Sequence, residues 1–185
     1  MYSVYLYWYL LIVSLQIIVI IILVFKLKQY VQLSQIDEIT AISNYRGFKK
    51  AINNKIKSKA EFTLAILDID DFRKYNFISY SFGDCVLMEF VKLLKQQLPA
   101  GSFIARYKFG DEFLIIVNDN LKNASEKIRI IQEKCKNNTF QNIETKQLFN
   151  ISFSFGTALF EESTDNLDSL LLKTEKELKE NKINS

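Results

Sequence analysis

The stretch Phe103–Asn118, FIARYKFGDEFLIIVN, reads as two strands joined by a tight turn, and it decides what fold the chain can have. Phe103–Tyr107 and FLIIVN at 113–118 are β-branched and aromatic, whereas the turn between them concentrates a glycine and two acids. Working upstream, FTLAILDI at 62–69 is a second apolar run that ends in carboxylates. Downstream, ISFSFGTALF at 151–160 alternates as a strand. Between these runs the period changes to that of a helix. Phe48, Ala51, Ile52 and Ile56 make one apolar stripe; Val86, Leu87, Phe90, Val91 and Leu94 make another within 83–98, stopped by Pro99, Ala100 and Gly101. Leu121, Ala124, Ile128, Ile131 and Cys135 form a third, and Leu167, Leu170, Leu171 and Leu178 a terminal one. Strands separated by helices, with one hairpin among them, predict an α/β sandwich of helices on a mixed or antiparallel sheet.

Ahead of this domain, residues 4–25 carry no charge and only Ser14 and Gln16 as polar interruptions. At 1.5 Å per residue such a run crosses a hydrocarbon core of about 30 Å. An apolar surface all round is hard to bury in a domain of about 150 residues, and neither a basic leader nor a small-residue cleavage site marks a signal peptide. Tyr5, Tyr7, Trp8 and Tyr9 suit a headgroup belt at one end, and Lys26 with Lys28 at the other places the C-terminal part in the cytoplasm. The expected organisation is a transmembrane helix over 1–25, a juxtamembrane helical stalk over 26–36 and a soluble domain over 37–185. The location that follows is the inner (cytoplasmic) membrane, single-pass, with lipid as a partner. Leu27, Tyr30 or Val31, and Leu33 or Ser34 fall near coiled-coil spacing, which suits either a paired stalk or a solvated helix.

Composition narrows the chemistry. A formal charge of +3, spread evenly over the chain, excludes a nucleic-acid-binding surface as the leading reading. Histidine is absent, which removes histidine bases, Ser/His and Cys/His nucleophile systems and imidazole-built zinc sites. Cys85 and Cys135 sit among apolar residues at helical spacing and read as small core residues in a reducing compartment. Catalysis, if present, rests on carboxylates, Lys, Arg, hydroxyls or a hard metal.

Carboxylates stand at two strand ends: Asp68, Asp70 and Asp71 after the first strand, and Asp111 with Glu112 in the hairpin turn. Brought together from neighbouring strands, two such groups hold Mg²⁺ (or Mn²⁺) against a nucleoside triphosphate. Either cluster alone is equally well a turn-terminating surface feature.

Five segments, in order, resemble the GGDEF family over about residues 37–182. DEITAISNYRGF (Asp37–Phe48) resembles its D-x-L-T-G-L-x-N-R-x-x-F opening, and LDIDDFRKYN (Leu67–Asn76) its D-x-D-x-F-K-x-x-N segment. FGDCVL (Phe82–Leu87) is similar to G-D-x-x-L, FGDEFLII (Phe109–Ile116) to the signature hairpin and ISFSFG (Ile151–Gly156) to the strand that follows. The resemblance implies the nucleotidyl cyclase fold, with a central sheet of about five strands flanked by helices. It also implies that Asp68 and Asp111 bind metal with the carbonyl of Ile69 nearby. Glu112 would coordinate metal or activate the ribose 3′ hydroxyl, with Asp111 and Glu112 the catalytic pair. Asn76 and Asp84 would read the guanine edge, and Arg73, Gly110 and Lys182 would meet the phosphates.

The departures are local. Phe109 stands where the signature has its first glycine, a position at which the backbone approaches phosphate. Tyr107 stands where the family has an arginine, with Arg106 displaced by one residue. Arg73 replaces a usual lysine, which keeps charge and changes geometry. The segment between Asn76 and Asp84 is one residue short, with Phe77, Tyr80 and Ser81 in place of Asp, Gly and His, and the terminal pattern survives only as TEKELKENK. Ala100 and Phe103 occupy the positions of an RxxD inhibitory motif, so product feedback by that route is not expected. The leading expectation is a membrane-anchored homodimeric diguanylate cyclase that condenses two GTP into cyclic di-GMP with Mg²⁺. The alternatives are a catalytically inactive nucleotide-binding or scaffolding module, and a related cyclase making another cyclic nucleotide.

Overall fold

A computed structural model describes residues 2–108, 110–162 and 166–183. The chain divides into two compact units, Met1–Ile36 and Asp37–Ser185. The first is a single helix, α1 (Tyr2–Leu33), which runs on past Lys26 and Lys28 without a break. Its segment Leu6–Val31 contains an 18-residue stretch with a mean hydropathy of 3.0, none of that stretch is buried, and by length and composition the helix is able to cross a membrane.

The second unit is built on a four-stranded sheet. Its strands are β1 (Thr63–Ile69), β2 (Phe103–Arg106), β3 (Glu112–Val117) and, after a ribbon of two short strands β4 (Phe140–Gln141) and β5 (Leu148–Phe149), β6 (Phe153–Leu159). The order across the sheet is β2-β3-β1-β6, and every ladder is antiparallel. The expectation of about five strands is thus met by four in the sheet, with the remaining pair forming the separate β4–β5 ribbon.

The central strands are covered on both faces, and their alternation divides them between two cores. Ala65, Leu67 and Ile69 of β1 and Phe113, Ile115 and Val117 of β3 face one core, with Phe90 and Val91 of α4 (Tyr80–Gln97) and Ile128 and Ile131 of α5 (Leu121–Asn137). Leu64 and Ile66 of β1 and Leu114 and Ile116 of β3 face the other, with Phe48 and Ile52 of α2 (Tyr45–Lys57) and Leu170 and Leu178 of α6 (Leu167–Ile183). Burial on both sides is why these strands read as continuous apolar runs.

Side-chain caps mark the starts of α2 and α5. Asn44 accepts from the backbone N–H of Arg46 and Gly47 ahead of α2, and Asn120 from that of Asn123 ahead of α5. Cys135 is fully buried, and burial pushes its thiol up to about 12, so it behaves as an apolar core residue. Cys85 is only half-buried, a correction to its reading as core, because its helical face turns toward the β4–β5 ribbon and a small surface cavity.

Candidate functional site at the end of β1 and the acidic hairpin

Register brings the two acidic clusters together. In the β1–β3 ladder Asp68 lies opposite Glu112, and one residue on, the N–H of Ile69 donates to the carbonyl of Asp111 at 3.2 Å. The end of β1 is therefore laced to the tip of the hairpin. Asp70 is committed elsewhere: its carboxylate accepts from the Ser154 hydroxyl at 2.8 Å, and its N–H donates to the carbonyl of Ser152. Of the DxD pair, Asp68 is the one left to the site.

A cleft of about 520 Å³ opens beside this junction. Its acidic wall is Asp68, Asp71 and Asp111, its cations are Arg73, Lys74 and Lys182, and Ile69, Phe72 and Phe77 supply its apolar surface. A groove of about 550 Å³ between α4 and α5 is as large, but no strand-end acids line it. Convergence of charge, not volume, singles out the first cleft.

Arg73 begins α3 (Arg73–Ile78), a six-residue helix that sequence periodicity did not reveal. Lys182 reaches the same cleft from the last turn of α6, with its Nζ 2.7 Å from Asp68 Oδ1. Helix α6 is held to β6 by close backbone contact at Gly156, where an added Cβ would fall 2.4 Å from both Thr174 O and Leu178 N. Asn181 Nδ2 also donates to the carbonyl of Phe155 at 2.9 Å, and Glu177 accepts from the N–H and hydroxyl of Thr157. The packing of α6 thus sets where Lys182 stands.

The carboxylates are in tension with one another. Burial, and after it the negative charge of Asp68, raises the Asp111 carboxyl above its ordinary value, against the opposing charges of Lys182 and Arg106. Burial raises Glu112 as well, followed by the charges of Asp68 and Asp111. Acids crowded in this way favour a cation. Among the described residues no three acidic or thiol side chains converge into a ready-made cage. That arrangement fits Mg²⁺, which takes one or two carboxylates and completes its shell with water and substrate phosphates. Asp68, Asp111 and the Ile69 carbonyl are oxygen donors of the right hardness.

Asn76 and Asp84 do not line this cleft. Between them Ser79 breaks the chain with an extended backbone (φ −170°, ψ 158°), and its hydroxyl caps α4 by accepting from Phe82 N–H. Asn76 packs so tightly on Gly83, the residue before Asp84, that a Cβ there would fall 2.0 Å from Asn76 Oδ1. Gly110 is needed for its backbone, at φ +148°, since the space around it is open. Phe109 lies outside the described residues.

Sequence reasoning missed the strut behind the hairpin. Arg106, almost fully buried, donates from Nε to the Gly110 carbonyl at 2.9 Å and from one terminal nitrogen to both oxygens of Asp37 at 3.1 Å. Asp37 also accepts from the N–H and hydroxyl of Thr40. Tyr107 turns inward, donating its hydroxyl to Glu175 at 2.9 Å, while Lys108 sits over its ring at 4.4 Å from the centroid. A charged residue preceding a strand-end turn, with an acid ahead of the domain, was the available signal.

A largely antiparallel sheet flanked by helical layers is the fold this chain shares with solved GGDEF domains. The coiled coil and GGDEF domain of DgcB from Caulobacter crescentus, solved in complex with c-di-GMP, superposes with a TM-score of 0.79 at 20% identity, covering 90% of each chain. The GGDEF domain of FimX from Pseudomonas aeruginosa gives 0.72 at 16% identity, over 82% of this chain and 95% of that one. Residues 34–185 match the family described as diguanylate cyclase, GGDEF domain, and the chain belongs to that family. Diguanylate cyclase DgcS of Shewanella oneidensis is 26% identical over 138 residues, 70% of this chain. The chain spans about 45% of the length of that relative.

Proposed function

We propose that this protein is a membrane-anchored diguanylate cyclase. Residues 1–25 serve as the transmembrane helix, 26–36 as a stalk and 37–185 as the cytoplasmic catalytic domain, which works as a homodimer with one GTP per subunit. The observation that carries the reading is the ladder that sets Asp68 against Glu112 and ties Ile69 to Asp111 beside a cation-lined cleft.

In this reading Asp68, Asp111 and the Ile69 carbonyl hold Mg²⁺, which when bound neutralises phosphate charge and acidifies a hydroxyl. Arg73 and Lys182 grip the phosphates, and the open backbone at Gly110 lets them approach the hairpin. Asn76 and Asp84 hydrogen-bond the guanine edge. Glu112, raised by burial and by the charges of its neighbours, accepts the 3′ hydroxyl proton in this reading. The freed 3′ oxygen of one GTP attacks the α-phosphorus of the other, the α–β bridging bond breaks and pyrophosphate leaves. Repetition in the opposite sense closes the ring, with the two subunits supplying orientation.

A second reading, an inactive nucleotide-binding module, draws on the Lys182–Asp68 ion pair, which already commits one oxygen of the metal site. The deciding experiment is incubation of the purified full chain, in detergent, with Mg²⁺ and each nucleoside triphosphate. Cyclic di-GMP from GTP is expected. Nucleotide binding without product would favour the inactive module, and a product from another triphosphate would identify a different cyclase.

A further inference from the structure

Phe77 is 88% exposed, an unusual position for a phenylalanine in a short amphipathic helix whose other aromatic, Tyr75, is buried. Helix α3 ends one residue later at Ile78, where Ser79 turns extended, and among the described residues none buries the ring. Phe77 follows Arg73 and Lys74 by four and three residues, which sets all three on one face of α3. All three line the same cleft as Asp68, Asp111 and Lys182. Two cations and a bare aromatic ring side by side complement a ligand with a polyanionic end and a flat apolar end. Nucleoside triphosphates have that shape.

We propose that the Phe77 ring is a stacking platform for the nucleobase of the triphosphate bound in this cleft. The inference rests on the nucleotide-binding reading above and extends it. A ring holds a base by its face and carries no hydrogen-bonding group, so the contact adds affinity without distinguishing guanine from adenine. Selectivity between purines then falls to other groups, and the platform itself widens the range of nucleotides that bind.

The test is calorimetric titration of the full chain in detergent with GTP, ATP and inorganic tripolyphosphate, each with Mg²⁺, for wild type, Phe77→Ala and Phe77→Tyr. The ring is exposed, so truncation leaves the fold intact. Phe77→Ala should weaken GTP and ATP alike by about five- to 150-fold, the range of one aromatic–base stack. Tripolyphosphate binding should be unchanged, and Phe77→Tyr should retain wild-type affinity. Undiminished nucleotide binding in Phe77→Ala overturns the platform alone. Loss confined to one purine also overturns it, since that is edge recognition. Failure of the wild type to bind any nucleotide overturns the parent reading and the platform with it.

Discussion

Arg106 grips both carboxylate oxygens of Asp37 through one guanidinium nitrogen at 3.1 Å, and its Nε holds the Gly110 carbonyl. The turn that opens the globular unit and the acidic hairpin are therefore one piece. Burial alone would raise Asp37, but hydrogen bonds from Thr40 and the adjacent guanidinium outweigh it and hold the carboxyl below its ordinary 3.8. The stabilisation is present above that value and is lost as pH falls through the lower folded-state pKa. Arg106→Met strands a part-buried carboxylate and should destabilise the domain by about 3 kcal/mol at pH 7. Denaturant unfolding of both proteins measures it, and the gap should narrow below the ordinary carboxylate range.

The same turn contains Ala41 at φ 53°, a left-handed conformation that costs an L-residue about 1–2 kcal/mol. Ala41→Gly removes that cost and loosens the unfolded chain, so a net gain of about 1 kcal/mol is expected. In a domain of this size that is a rise of about 2–4 °C in melting temperature. An unchanged or lower value would mean the turn is not strained.

The apolar skeleton was legible because continuous apolar runs such as FLIIV and period-3.6 stripes such as those of α5 leave strong signatures. The β4–β5 ribbon was not, since two-residue strands in a polar stretch have no period to detect. Helix α3 escaped for the same reason, at six residues. The two acidic clusters were legible as carboxylates at strand ends, whereas Asp68 and Asp111 were singled out within them by the GGDEF resemblance. Arg106 was missed because its role depends on reach: counting back from Asp111 finds Tyr107, whereas the guanidinium one residue earlier spans the gap to Gly110 and Asp37.

Asp111 makes the opposite pH prediction from Asp37. Its folded carboxyl keeps its proton to higher pH than the ordinary 3.8, because of burial first and the charge of Asp68 second. The folded state thus binds more protons across that window, and stability falls as pH rises through it. Asp111→Asn should accordingly be more stable than wild type at pH 7, with the difference vanishing below the ordinary carboxylate value. Thermal unfolding across pH 3–8 reads this, and a destabilised Asn variant at pH 7 would show that the carboxylate is satisfied as it stands.

The position of Lys182 depends on Gly156. Adding a methyl to Gly156 drives a Cβ into the backbone of α6 at Thr174 and Leu178. Gly156→Ala should therefore cost about 1–3 kcal/mol by overpacking and shift α6 away from the sheet. Lys182→Gln, which removes a part-exposed lysine from a mostly buried aspartate, should change stability by less than about 1 kcal/mol. Nucleotide affinity should fall in both, and only Gly156→Ala should lower the melting temperature. Equal thermal effects would break the proposed link.

The central claim is that strand-end carboxylates held by the β1–β3 ladder support Mg²⁺-dependent condensation of GTP. The most direct measurement is cyclic di-GMP formation by the purified full chain in detergent, with and without Mg²⁺, for wild type, Asp68→Asn and Asp111→Asn. Wild type should form product only when Mg²⁺ is present, and each variant should lose at least about a hundredfold with the fold retained. Product formed equally by the variants, or without divalent metal, would contradict it.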